Sequence, residues 1–301
     1  MVMTGAWSRS IKIVIPYKLV WIKLAVSNAL PFMHIDSEVY FWKYAKTLQH
    51  PLIRENKILQ QHYFPENIEQ SLHRNGIDGC IAVTAEAAEV ETRFLAELAL
   101  THPSIRGMIG WIDLYDPKAK EKIEEFNQYN PLRGYRIEFK KDQKLRADVI
   151  EMLMEYQYSL DFSLGNYSVG DDLKNWMNAY PDQQFILDDA GSPDAKQAPS
   201  KTWETRIREL SKHQNLSCKL SGLFTSGNRK SWKPVDFYPF LEILFDSFGT
   251  NRLLFASGWP FLLLSGLYVQ WKSLLEKFME RYSLEDHGKI FGENAQRLYR
   301  L

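Results

Sequence analysis

Short apolar runs that stop abruptly at small or charged residues recur along this chain, and their spacing constrains the fold more than any other feature. Arg252-Leu-Leu-Phe-Ala-Ser-Gly-Trp-Pro260 shows the form: an unbroken apolar core, then small residues, an aromatic and a proline. Such a run suits a parallel strand buried on both faces, with a C-terminal end that opens into a loop. Comparable runs lie at 34–41, 79–85, 107–114, 134–139, 159–165, 184–189 and 216–222. Most intervals between them carry helical spacing, including 65–75, 89–100, 117–129, 145–156, 172–180, 203–213, 237–248 and 268–282. Strand and helix therefore alternate about eight times, the pattern of an α/β (β/α)8 TIM barrel. Residues 285–301 add a C-terminal helical segment.

The 301 residues accommodate one such barrel plus an extension more readily than two domains. Residues 1–32 read as a non-barrel extension, in which lysines and a proline interrupt an apolar stretch too often for a membrane span. Met33 directly precedes the first expected strand, so a barrel domain over 33–301 is expected, with the preceding residues an upstream extension of the reading frame. The 37 basic residues balance 37 acidic ones without a basic block, which argues against a nucleic-acid partner. Cys80 and Cys218 fall inside expected core strands, with neither disulfide framework nor zinc-ligand spacing, so a reducing, cytoplasmic location is expected. Nothing suggests a membrane partner, and a homo-oligomer is left open.

In a barrel of this kind the chemistry sits where the strands end. The residues at those positions are Glu38, Tyr40, Arg136, Glu138, Asp188, Asp189, Lys219, Ser257 and Gly258. Trp42, Trp111 and Trp259 stand near strand ends, where they offer an apolar pocket wall. The connection 41–63 is expected to cross the mouth, and it brings His50 and His62 within reach of it.

Several pieces resemble one family. They include Ile35-Asp36-Ser37 with Phe41-Trp42, Asn75-Gly-Ile-Asp-Gly79, Gly110-Trp-Ile-Asp-Leu114, Arg133-Gly-Tyr-Arg136, Cys218-Lys-Leu-Ser-Gly-Leu223, Trp259-Pro260 and Phe291-Gly-Glu-Asn-Ala295. Together they are similar to the amidohydrolase-related (amidohydrolase family 2) group, which contains L-fuconolactonase, L-rhamnonolactonase and 2-pyrone-4,6-dicarboxylate lactonase. The resemblance implies a metal-dependent-hydrolase type of barrel acting on the ester bond of a sugar-acid lactone or a related small molecule. It also implies a His-x-His pair ending the first strand, Leu-Asp-His ending the sixth, and Ser-Asp-Trp-Pro after the eighth, with that aspartate as general base. This chain carries Glu38 and Tyr40, Leu187-Asp188-Asp189, and Ser257-Gly258-Trp259-Pro260 at those places.

The leading expectation is a weakly active or inactive family member with no cofactor, because losing a general base typically costs about 10²–10⁴-fold. An alternative is a remodelled hydrolase in which Asp189 and Glu38 are catalytic. Glu38, Glu138 and Asp189 would then offer oxygen ligands suited to Mg²⁺, Mn²⁺ or Ca²⁺. A third reading is a sugar-acid or anion-binding module, with Tyr40, Arg136, Lys219, Trp111 and Trp259 as the ligand-binding residues.

Overall fold

The structure is a computed structural model that describes residues 10–15, 18–23, 33–138, 145–164, 171–227 and 231–301. Phe139 and Gly165, the last residues of two expected strands, and residues 24–32 of the extension lie outside the described residues. The chain divides into two compact units, Met1–Phe32 and Met33–Leu301. In the first, Ser10–Ile15 pairs antiparallel with Lys18–Lys23.

The second unit is the expected barrel. Its strands are β1 (Ile35–Tyr40), β2 (Gly79–Val83), β3 (Ile105–Gly110), β4 (Leu132–Ile137), β5 (Ser159–Phe162), β6 (Phe185–Leu187), β7 (Leu216–Lys219) and β8 (Leu253–Leu254). Each pairs in parallel with its sequence neighbour, in the order β8-β7-β6-β5-β4-β3-β2-β1. Closure comes from the segment after β8, where the Tyr40 amide donates to the Trp259 carbonyl at 2.7 Å and the Gly258 amide to the Glu38 carbonyl at 3.0 Å. Closing the sheet removes the exposed edges an open sheet would present.

Strands β1, β2, β5, β6, β7 and β8 are buried throughout; β2, β6 and β8 are apolar, while β1, β5 and β7 carry buried polar and charged residues among apolar ones. Helices follow them in the outer layer, among them Glu89–Thr101, Ala119–Phe126, Ala147–Glu155, Lys201–Leu210, Pro234–Phe248 and Tyr268–Phe278. The expected strand 107–114 is displaced: β3 begins at Ile105 and ends at Gly110, and Trp111 has already entered a loop. There the Trp111 amide and carbonyl both pair with the Thr92 hydroxyl at 2.8 Å, so a side chain of the preceding helix, Glu89–Thr101, takes the place of the ladder. The C-terminal segment is three consecutive helical pieces between Leu284 and Tyr299. Among the described residues, no helix is long and apolar enough to cross a membrane.

Buried carboxylates tie the barrel internally. Asp36 of β1 accepts the Ser257 amide at 2.9 Å and the Tyr268 hydroxyl at 2.9 Å, joining the first strand to the segment after the last. Asp161 of β5 accepts Ser159 at 2.6 Å, the Lys219 ammonium at 2.7 Å and the Tyr299 hydroxyl at 2.8 Å, which anchors the C-terminal helix from inside. Buried carboxylates persist when hydrogen-bonded, as both of these are, and Asp161 has a counter-charge in Lys219 as well.

Candidate active site

The C-terminal ends of the strands converge on a cavity of about 270 Å³. Tyr40, Arg136, Asp189 and Gly258 form its polar floor, while His50, Leu52 and Phe261 contribute a more apolar wall. The Phe261 ring lies 4.6 Å from the His50 ring, nearly parallel, and edge-on to Tyr40 at 5.0 Å. The connection after β1 therefore reaches the mouth, and His50 stands there as its position allowed. His62 instead accepts the Tyr44 amide at 3.0 Å on an exposed part of the same connection.

Glu38 lies beneath this floor and is fully buried. Residues 38 and 40 are two apart on one strand and share a face, and the Tyr40 hydroxyl donates to one Glu38 oxygen while the Ser221 hydroxyl donates to the other. Burial, reinforced by the charges of Asp189 and Asp188, pushes the Glu38 carboxyl up to about 8.

Beside it, Asp188 meets the Lys219 ammonium at 2.9 Å and the Arg136 Nε at 3.4 Å. Neither contact is aligned as a hydrogen bond, so this carboxylate is held by charge more than by direction. Burial alone would lower the Lys219 ammonium, but Asp161 and then Asp188 lift it well above its ordinary value.

Asp189 faces the cavity. Residues 189–192 all have φ between +51° and +71°, a run of left-handed backbone in which Gly191 is the sole glycine. Each non-glycine residue in that region carries about 1–3 kcal/mol of strain, a cost usually found where a side chain must be aimed. The Asp189 amide accepts no freedom from this turn, since it donates to Ser221 at 3.1 Å. Burial raises the Asp189 carboxyl above its ordinary value against the opposing pull of Arg136, and Asp188 adds to the rise. His50 moves the other way, pushed down to about 4 by burial and then by Arg136.

The structure brings some of the expected residues together and keeps others apart. Glu38, Tyr40, Arg136, Asp189 and Gly258 do come together. Glu138 does not join the carboxylate group, because its side chain is exposed at the end of β4, and Asp188 takes that place beside Glu38 and Asp189. Lys219 is fully buried between Asp161 and Asp188 and is not among the residues lining the cavity. Trp111 stands in the loop held by Thr92, and Trp259 packs on Tyr63 at 5.1 Å and Phe41 at 6.1 Å, so neither lines the cavity. Ser257 fixes its own loop by accepting the Trp259 amide at 3.0 Å. Ser221 and Asp161 were missed as structural partners of the site. The available signal was a polar residue set inside a run otherwise buried on both faces, since such a residue must find a partner.

The donors around the mouth do not fit zinc. Glu38, Asp188 and Asp189 have no imidazole or thiolate grouped with them as ligands, His50 on the cavity wall stacks on Phe261, both Glu38 oxygens already accept hydroxyl protons, and Asp188 is held by two cations. Among the described residues, no group of three or more His, Cys, Asp or Glu is arranged to hold a metal ion.

Residues 35–301 match the amidohydrolase family. The L-fucono-1,5-lactonase of Burkholderia multivorans is 30% identical over 288 residues, covering 89% of this chain and 96% of that protein. The L-fucono-1,5-lactonase of Burkholderia ambifaria is 26% identical over 278 residues, covering 89% and 95% respectively. A crystal structure of a Burkholderia multivorans amidohydrolase with bound zinc is similar with a TM-score of 0.79 at 29% identity, covering 89% of this chain and 99% of that one.

Proposed function

Because the chain belongs to the amidohydrolase family, we propose that it hydrolyses a small lactone, as the L-fucono-1,5-lactonases it resembles do, by acid–base chemistry among its own side chains. The observation that supports this best is that a carboxylate, Asp189, and a guanidinium, Arg136, face one cavity at the mouth of the barrel.

Arg136 is suited to polarising the lactone carbonyl. Its guanidinium carries five N–H donors, of which one on Nη1 goes to the Thr84 carbonyl at 3.4 Å, while Nε lies 3.4 Å from the Asp188 carboxylate without hydrogen-bond alignment. The remaining donors can meet negative charge as it develops on the carbonyl oxygen. Tyr40 has no second proton to give while its hydroxyl donates to Glu38, so it shapes the floor and can accept from a substrate hydroxyl. The zinc seen in the related crystal structure has no fitting donor set here, and no step of this proposal runs through a metal.

A second reading, a weakly active or inactive family member, draws on a specific observation. Gly258 places no proton acceptor where the family resemblance expects aspartate, and both Glu38 oxygens are occupied by internal partners. Turnover of L-fucono-1,5-lactone and a panel of related five- and six-membered sugar-acid lactones separates the two. Ring opening above the spontaneous rate supports the hydrolase, and its absence across the panel supports the inactive barrel.

A further inference from the structure

We infer that the water-activating base has moved from the end of β8 to the end of β6, where Asp189 performs it. This rests on the hydrolase reading and names the residue that carries the reaction. The two carboxylates expected to share the chemistry differ in access. Glu38 is fully buried, accepts from Tyr40 and Ser221, and is not among the residues lining the cavity. Asp189 lines the cavity, and among the described residues no cation stands within ion-pair distance of it.

Two glycines make the arrangement work. At Gly222, on the loop after β7, a Cβ would stand 2.6 Å from the Asp189 Cβ and 2.8 Å from its Cα, so only a residue without a side chain leaves Asp189 where it is. At Gly258 the reverse holds: a Cβ would meet nothing nearer than the Ser221 Cβ at 3.8 Å. The place of the expected aspartate is therefore open space on the same cavity that Asp189 faces. It offers room for the attacking water or for the substrate edge.

In the proposed step Asp189 takes one proton from water while the water oxygen bonds to the lactone carbonyl carbon. The carbonyl π pair moves onto its oxygen, facing Arg136. Collapse of this tetrahedral species restores the carbonyl and breaks the ring C–O bond. The departing alkoxide takes the proton from Asp189, which returns the carboxylate and releases the open-chain hydroxy acid.

The test uses the full chain and the same lactone panel. Asp189→Asn, which preserves size, is expected to lower kcat about 10²–10⁴-fold, the usual cost of losing a positioned base, with little change in KM. Adding Gly258→Asp to that variant is expected to recover part of the rate, because the position has space and aspartate tolerates positive φ better than most residues. A merely structural role for Asp189 predicts no such recovery. If the parent turns over a lactone and Asp189→Asn retains its kcat, the assignment fails while the hydrolase reading stands. If Asp189→Asn loses kcat but Gly258→Asp restores none of it and thermal unfolding shows the single variant destabilised, Asp189 is structural and the assignment also fails. If the parent turns over nothing in the panel, both fall together.

Discussion

Gly222 and Asp189 touch backbone to side chain across the ends of two neighbouring strands, with no space for a methyl group between them. Gly222 also holds φ at +75°, a region that side chains adopt at a cost. Gly222→Ala is therefore expected to destabilise the fold by about 1–3 kcal/mol through overpacking and backbone strain, and to displace Asp189 from the cavity. Denaturant unfolding measures the first effect and lactone turnover the second. Unchanged turnover would mean that Asp189 does not depend on this contact.

The Glu38 carboxyl sets a second expectation, on stability against pH. Its folded value of about 8 lies above its ordinary 4.5, with burial as the largest cause. Between those values the folded state holds a proton that the unfolded chain has released, so stability falls as pH rises through this window and levels off above it. Glu38→Gln keeps the neutral shape and removes the titration. Its thermal midpoint is expected to fall less steeply between pH 5 and pH 8 than that of the parent, measured by scans across that range. Parallel curves would show that Glu38 ionises freely in the folded protein.

Lys219 neutralises Asp161 and Asp188 from a position wholly inside the barrel. Removing one member of a buried ionic group leaves the others uncompensated, typically at about 3–5 kcal/mol. Lys219→Met should lower the denaturant midpoint accordingly. Restored stability in Lys219→Met with Asp161→Asn added would locate the penalty in the stranded Asp161 charge.

Metal content gives a further check on the mouth. The Glu38 and Asp188 oxygens there are already engaged by hydroxyls and cations, which leaves Asp189 as the open carboxylate, so purified protein is expected to carry less than stoichiometric zinc or manganese. Dialysis against a chelator should leave its thermal midpoint unchanged. Stoichiometric metal that disappears in both Glu38→Ala and Asp189→Ala would refute the metal-free reading.

Much of the barrel was legible in the sequence because a strand buried on both faces is rich in apolar residues, with few polar ones that each find an internal partner, and the loops that follow break that run. The runs at 34–41, 79–85 and 216–222 coincide closely with β1, β2 and β7. The run at 107–114 misplaced β3, since Trp111 to Leu114 is as apolar as a strand, yet Thr92 takes the backbone partners of Trp111 out of the ladder. No local pattern announces a partner nineteen residues away.

The sequence by itself determined the alternation of strands and helices, the family likeness, and which side chains stand at the strand ends, because periodicity and position along the chain are local properties. Only the tertiary structure decided which of those side chains meet. Glu138 is solvent-exposed while Asp188 joins Glu38, Lys219 is buried between Asp161 and Asp188, and Gly222 makes room for Asp189. The direction of a side chain past the last ladder bond is set by the turn that follows and by neighbours on other strands. Close packing between distant segments, rather than spacing within one, therefore selects the groups that face the cavity.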